Sequence, residues 1–223
     1  MPKVSTIAID GPAASGKTVV GRNLAQTLGF QFLDTGLMYR AAALATLQDS
    51  TSLSDDSALT NLVSDSRITV SDTPNGTRVH LNDDDVTDSL HDTEVESIVS
   101  RVAAVAGVRT VLVAKQRAMA EPGSIVMVGR DIGTVVLADA DIKVFLEASA
   151  EERAKRRQAE RSEIDGASSV ASMKEKLEAR DRQDKQRIES PLKPADDAHI
   201  IITDGLSIDQ VVQEIIQIAT SRE

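Results

Sequence analysis

Residues 4–28 read VSTIAIDGPAASGKTVVGRNLAQTL, and this stretch decides the fold. The apolar run Val4–Ile9 predicts a buried strand, and Thr18–Leu28, which ends before Gly29, predicts an amphipathic helix. Between them, residues 11–18 match the pattern G-x-x-x-x-G-K-[ST] at every position. Glycines in such a loop allow backbone N–H groups to point inward at phosphate oxygens, and the dipole of the following helix adds to the attraction. The stretch therefore predicts a loop that binds nucleotide phosphates, called here the phosphate loop.

Two side chains of the phosphate loop have predicted chemical roles. Lys17 is expected to reach the β- and γ-phosphates of a nucleoside triphosphate, where its charge would assist catalysis, and the Thr18 hydroxyl is expected to bind Mg²⁺. Asp34 and Asp131 are candidates for outer contacts to that ion. The residues predicted to bind the nucleotide here are Gly11, Pro12, Ala13, Ala14, Ser15, Gly16, Lys17, Thr18 and Val19.

The rest of the chain predicts an α/β fold, a five-stranded parallel sheet with helices on both faces. The other four apolar runs are Gln31–Leu33, Ile125–Val128, Lys143–Leu146 and Ile200–Ile202, and continuous apolar strands between helices are typical of such sheets. Ligands of these sheets bind beyond the carboxyl ends of the strands. Further helices are predicted at Leu37–Leu47, from Thr93 with a break at Gly107 and a second piece to Ala120, from Ser149 to about Arg161, and after Ser207. Capping-box pairs mark three starts: Thr93 with Glu96, Ser149 with Glu152, and Ser207 with Gln210.

Composition excludes several classes of function. The 223 residues carry a net charge of −10 and contain no Cys, no Trp, one Tyr and three Phe. Acidity and scarce aromatics argue against nucleic-acid binding, and no apolar run approaches the ~20 residues of a membrane span. With no signal-peptide pattern at the N-terminus, we expect a cytoplasmic protein without membrane or nucleic-acid partners. The three histidines, His80, His91 and His199, are isolated and are interpreted as surface or packing residues.

Positive charge is concentrated in residues 151–187, which hold eleven Lys and Arg against nine Asp and Glu. Four arginines lie between Arg153 and Arg161, and this run favours a site for an acceptor phosphate because arginine suits bidentate phosphate binding. Arg40 and Arg130 follow predicted strand ends and favour a second phosphate site. A phosphate acceptor is already anionic, so its phosphorylation needs no general base.

Four motifs together resemble bacterial cytidylate kinases, nucleoside monophosphate kinases of the P-loop class. They are Ile9-Asp10-Gly11-Pro12 with Gly16-Lys17, Leu33-Asp34-Thr35-Gly36 with Tyr39-Arg40, Gly129–Val136, and Arg180-Asp181 with Asp184 and Arg187. The resemblance implies a monomer that transfers the γ-phosphate of ATP to CMP or dCMP with Mg²⁺, giving CDP or dCDP in pyrimidine nucleotide metabolism.

The resemblance also implies roles for residues outside the phosphate loop. Cytosine would be read by Ser100, Arg109 and Asp131, the sugar by Arg180 and Asp184, and the acceptor phosphate by Arg40, Arg130 and Arg187, with Thr35 also on the CMP side. Arg130 and Arg187 would join Lys17 as catalytic residues, and Arg153 and Arg157 would contact the donor phosphates of ATP. A carboxylate at Asp131 can accept from the cytosine amine, whereas uracil presents an oxygen there.

The predicted organisation is one domain, residues 1–223, with two departures from the strand–helix rhythm. Residues 37–122 would form the monophosphate-binding part, including a hairpin insert at about 66–92, in which Arg67–Ser71 and Thr77–Asn82 pair around Asn75-Gly76. A lid is predicted at about 157–172, where Ser, Gly and charge dominate.

Two other readings of the phosphate loop stay open at this point. One is a small-molecule kinase of the adenylate or shikimate type, which a panel of acceptors would distinguish. The other is a nucleotide-switched binding protein such as a GTPase, which needs an N/T-K-x-D guanine reader that the sequence lacks.

Overall fold

The strands follow the apolar runs of the sequence. The structure is a computed structural model that describes residues 4–73, 76–162 and 169–221. Its strands are β1 Thr6–Asp10, β2 Gln31–Asp34, β3 Ile68–Thr73, β4 Gly76–Leu81, β5 Asp84–Asp85, β6 Ile125–Gly129, β7 Ile142–Glu147 and β8 His199–Ile202. Its helices are α1 Lys17–Leu28, α2 Thr35–Asp49, α3 Asp56–Asp65, α4 Thr93–Val102, α5 Ala106–Ala120, α6 Ala150–Ser162, α7 Val170–Gln186 and α8 Ile208–Thr220, with a 3₁₀ turn at Asp88–His91 and a π-helical turn at Ile132–Val136.

The predicted five-stranded parallel sheet is confirmed, with the order β2-β6-β1-β7-β8. In the central strand β1, the side chains of Ile7, Ala8 and Ile9 are fully buried, which explains the uninterrupted apolar run there. Strand β1 pairs in parallel with both β6 and β7, and Asp10 lies opposite Gly129 and Phe145. The phosphate loop after Asp10 and the turn after Gly129 therefore leave the same edge of the sheet.

The chain divides into two compact units. The first comprises residues 1–30 and 124–223, and the second is Gln31–Gly123. The second unit contains the predicted hairpin: β3 and β4 pair antiparallel with Val70 opposite Val79, and β5 adds a third strand. Asn75 of the predicted turn lies outside the described residues.

The predicted break between α4 and α5 is in the wrong place. Helix α4 ends at Val102 and α5 begins at Ala106, so Gly107 lies inside α5. A Cβ on Gly107 would approach Thr60 Oγ1 to 2.2 Å, so this glycine permits close packing on α3 rather than breaking a helix. The capping box at Thr93 is also wrong, because Asp92 is the N-cap and makes no side-chain capping hydrogen bond.

The predictions for the starts of three other helices had different outcomes. The Ser207–Gln210 capping box is fully formed. Ser149 accepts from the Glu152 N–H at 3.2 Å, but the Glu152 carboxylate pairs with Arg156 instead of completing a box. Helix α2 begins earlier than predicted, because Asp34 caps it by accepting from the Gly36 N–H.

Helices α3 and α7 were not predicted as elements, and α7 overlaps the predicted lid. Helix α6 extends to Ser162, close to the predicted end, and α7 starts at Val170. Residues 157–162 and 170–172 of the predicted lid are therefore helical, and its central residues 163–168 lie outside the described part.

Within the described ranges, no single helix is long and apolar enough to cross a membrane; only α4 and α5 taken together, across a 99° bend, satisfy length and composition.

Candidate active site

The phosphate loop has the backbone shape that its glycines predict. Positive φ angles occur at Gly11 (152°), Ala14 (59°) and Gly16 (93°). A Cβ on Gly11 would lie 2.2 Å from the Leu146 carbonyl oxygen, so only glycine fits beside β7. Lys17 is buried, and its ammonium donates to Pro12 O at 2.6 Å and Ser15 Oγ at 3.3 Å. The lysine is thus already folded over the loop, where a phosphate would need its charge.

Asp10 joins the start of the phosphate loop to the turn that carries Arg130 and Asp131. Its two carboxylate oxygens accept from the N–H groups of Ile132 (2.8 Å) and Gly133 (2.7 Å). Burial raises the pKa of Asp10 to about 6, even though these N–H groups favour the carboxylate; the charge of Asp131 also raises it and that of Lys17 lowers it. Sequence reasoning missed this function of Asp10, although a buried acid at a strand end next to a glycine-rich loop was a usable signal.

A second group of charged residues surrounds Asp184 in the same unit, and we call Arg130, Arg180, Arg187 and Asp184 the arginine cluster. Asp184 is almost fully buried, and it accepts from Arg130 Nε at 3.0 Å and from Arg187 Nη2. Burial alone would raise the pKa of Asp184, but the charges of Arg130, Arg187 and Arg180 together bring it below its ordinary value. Two arginines predicted to bind the acceptor phosphate, Arg130 and Arg187, are thus held by one carboxylate. Asp184 itself, like Arg180, was predicted only to contact the sugar.

Arg153 and Arg157 both lie on α6, but they differ in burial. Arg153 is buried, and each of its three guanidinium nitrogens contacts a protein acceptor: Ala148 O, Ala13 O and the Asp181 carboxylate. Arg157 is only partly buried. Arg156, which sequence reasoning did not select, donates to Ser15 O at 3.4 Å and to Thr203 O at 2.8 Å.

The second unit holds the other predicted acceptor residues. Arg40 on α2 donates to Leu90 O at 3.0 Å and pairs with Glu96 at 3.4 Å. Arg109 on α5 is buried, and its guanidinium carbon lies 5.4 Å from the centre of the Tyr39 ring, within cation–π range. Thr35 is buried at the start of α2, and Ser100 is partly buried on α4, which packs against α2. Two arginines and two hydroxyls are thus placed on packed helices of one unit.

In the part of the chain that the structure describes, no three His, Asp or Glu side chains form a group that could hold a metal ion. Mg²⁺ in nucleotide enzymes is bound by few protein oxygens together with substrate phosphates. Thr18 at the start of α1, directly after Lys17, offers an oxygen of this kind. The residues present therefore fit an ion that arrives with a nucleotide.

Comparisons with known proteins identify the family. The family model for cytidylate kinase matches residues 7–221. A cytidylate kinase of Geobacillus sp. (strain WCH70) is 44% identical over 216 residues, covering 97% of this chain and 96% of that protein. A cytidylate kinase of Streptococcus uberis is 46% identical over 212 residues, covering 95% of this chain and 94% of that protein.

Solved structures give independent support for the fold. Shikimate kinase from Acinetobacter baumannii, in complex with shikimate, aligns with a TM-score of 0.50 at 19% identity, over 99% of this chain and 96% of that one. Shikimate kinase from Bacteroides thetaiotaomicron aligns with a TM-score of 0.51 at 13% identity, over 97% of this chain and 98% of that one. These likenesses show the kinase fold alone, whereas the full-length sequence matches show the family. The chain therefore belongs to the cytidylate kinase family, and the protein is a kinase with a nucleotide-binding phosphate loop.

Proposed function

We propose that this protein transfers the γ-phosphate of ATP to CMP or dCMP, giving CDP or dCDP, with Mg²⁺ as cofactor. The observation that carries the proposal is the presence of two anion-binding features in one unit. The phosphate loop follows β1, and Arg130 of the arginine cluster follows β6, its hydrogen-bonded neighbour. A donor phosphate and an acceptor phosphate can then be bound at the same edge of the sheet.

Catalysis in this scheme depends on positioning and charge. Lys17 neutralises the negative charge that develops between the β- and γ-phosphates during transfer. Arg130 and Arg187 bind the acceptor phosphate and reduce its repulsion of the incoming γ-phosphoryl group. Asp184 holds both guanidinium groups in place, and no side chain need remove a proton because the acceptor phosphate is already ionised.

Magnesium is part of this proposal. We propose that the Thr18 hydroxyl and the nucleotide phosphates bind the ion, with Asp34 and Asp131 as candidates for outer contacts. When bound, Mg²⁺ supplies further charge neutralisation on the donor phosphates.

We propose that Asp131, Ser100 and Arg109 select the base. Asp131 is buried, and a buried carboxylate discriminates strongly between an amine and a carbonyl oxygen. Arg109 lies over the Tyr39 ring and donates to Ala103 O at 3.3 Å, and these contacts help to position its guanidinium group for a specific contact. We further propose that the enzyme acts as a cytoplasmic monomer in pyrimidine nucleotide metabolism.

The deciding experiment measures ADP release from ATP and Mg²⁺ on separate addition of CMP, dCMP, UMP, AMP and shikimate. We expect fast release with CMP and dCMP and slow release with UMP and AMP. Fast release with AMP or shikimate would support the other kinase types, and release independent of any acceptor would support a nucleotide switch. The Lys17→Ala variant serves as the control for contaminating kinases.

A further inference from the structure

The carbonyl oxygens of the phosphate loop are bound by arginines of α6. When the N–H groups of such a loop face a phosphate, its carbonyl groups face the protein and need donors there. Arg153 Nη1 donates to Ala13 O at 3.2 Å, and Arg156 Nη1 donates to Ser15 O at 3.4 Å. Arg156 also donates to Thr203 O, so Ser15 is joined to the turn after β8. Helix α6 therefore supports the phosphate loop through its carbonyl groups, on the side that faces the protein.

Arg153 extends this support to α7. Its Nη2 lies 2.7 Å from Asp181 Oδ2, and the two side chains are only 6% and 12% exposed. Asp181 Oδ1 is also buried and has no hydrogen-bond partner among the described residues. The carboxylate of Asp181 thus holds one end of a guanidinium whose other end contacts the phosphate loop.

Apolar packing joins the same three elements. Ala154 of α6 and Met173 and Leu177 of α7 form a buried cluster, against which Ala13 and Ala14 of the phosphate loop pack. Ala14 has a φ of 59°, a left-handed conformation that is unfavourable for a residue with a Cβ. Contacts from outside the loop are what retain such a conformation.

We propose that Arg153 and Asp181 form a latch that positions the phosphate loop on the α6–α7 pair, so that Arg153 acts on the nucleotide through the loop backbone. This assignment rests on the proposed function in one respect, that the nucleotide bound by the loop is ATP. In this assignment Arg153 and Asp181 are positioning residues, because they act on the nucleotide only through the loop. The competing assignment is the one from sequence, in which Arg153 contacts the donor phosphates directly.

The two assignments predict opposite effects of Asp181→Asn, which is nearly isosteric and removes the charge that holds Arg153. If Arg153 bound phosphate directly, releasing it from a carboxylate would leave ATP binding unchanged or make it tighter. The latch predicts weaker binding of ATP and ADP alike, by about tenfold in Kd, as expected for a lost charge-assisted contact. Calorimetry with ATP and with ADP measures both, and tighter or unchanged binding would overturn the latch.

A double-variant comparison sharpens the test. Because the latch needs both partners, Arg153→Gln and the combination of Arg153→Gln with Asp181→Asn should weaken ATP binding to the same degree. Hydrogen exchange of the amides of residues 13–16 should become faster in all three variants. Additive losses in the combined variant would contradict the latch. Glu151→Gln is the matched control, because it removes the exposed Glu151–Lys155 pair from the same helix and should change neither readout.

A second variant covers the case in which Asp181→Asn does not fold. Arg153→Lys keeps the positive charge, but one ammonium nitrogen cannot replace three guanidinium nitrogens on separate acceptors. The latch predicts weakened ATP binding for it, and direct contact predicts nearly native binding. ATP binding is measured without an acceptor, so failure of the latch is separate from failure of CMP-dependent ADP release, which tests the proposed function.

Discussion

Replacing Asp184 by Asn should make the stability of this protein depend on bound anions. The Asp184 carboxylate is 1% exposed and contacts Arg130 and Arg187, whose side chains are 21% and 11% exposed. Removing one member of a buried ion pair costs ~3–5 kcal/mol. Asn retains one acceptor oxygen, so we expect a loss of about 3 kcal/mol in the free energy of unfolding, at the low end of that range.

This loss should be visible in the melting temperature. For a chain of this size, a loss of about 3 kcal/mol corresponds to a decrease of roughly 6–12 °C. An anion bound between the released arginines replaces the missing charge, so inorganic phosphate or CMP should raise the Tm of the variant more than that of the native protein. Scanning calorimetry with and without each anion measures both effects.

The control for this prediction is Glu151→Gln, which removes a carboxylate from the exposed Glu151–Lys155 pair, and solvent screening leaves such a pair little effect on stability. A Tm for Asp184→Asn equal to that of the control would refute the view that Asp184 organises the arginines. A lower Tm with no additional stabilisation by phosphate would show instead that the lost stability comes from packing and not from charge.

Three further predictions concern individual side chains. Lys17→Ala should reduce kcat by ~10²-fold or more in steady-state assays, since one preorganised electrostatic group is worth that much; a variant with over about a tenth of native kcat would contradict the assignment. Asp131→Ala should lower the ratio of kcat/KM for CMP over UMP by roughly ten- to a hundredfold, the value of one hydrogen bond to a charged group, and an unchanged ratio would assign Asp131 to organising Arg130 instead. Because the pKa of Asp10 is raised from 3.8 to about 6, the folded state holds its proton more tightly. The protonated Asp10 therefore stabilises the folded state fully below pH 3.8, and this stabilisation is lost as the pH rises through 6. In the native protein this group should lower the free energy of unfolding by about 3 kcal/mol over that range, and in Asp10→Asn the decrease should be absent. Urea denaturation between pH 4 and 7 measures both. Equal pH slopes in the two proteins would show that Asp10 is not the titrating group.

The order of the core strands along the chain could be predicted from sequence because burial on both faces leaves a continuous apolar run. Ile7 to Ile9 and Ile125 to Val128 are examples. The phosphate loop could also be predicted, since the positive φ angles of Gly11 and Gly16 are local backbone requirements. The Leu146 carbonyl oxygen, which leaves room only for glycine at position 11, is in contrast a tertiary contact. The β3–β4 hairpin could also be predicted, because alternating apolar and polar residues are typical of strands with one buried face.

What the tertiary structure alone decided is which charged groups meet. Arg153 is a candidate phosphate ligand in the sequence, but its partner Asp181 lies on a helix that begins after residues 163–168, and no local spacing predicts that pair. Asp184 and Arg130 are 54 residues apart along the chain, and the close approach of Gly107 to Thr60 requires two helices to pack. Local backbone conformation depends mainly on short stretches of sequence, whereas an ion pair depends on where the fold brings two side chains. The phosphate loop can therefore be predicted from the sequence, whereas the side chains that hold the loop and the arginine cluster in place cannot.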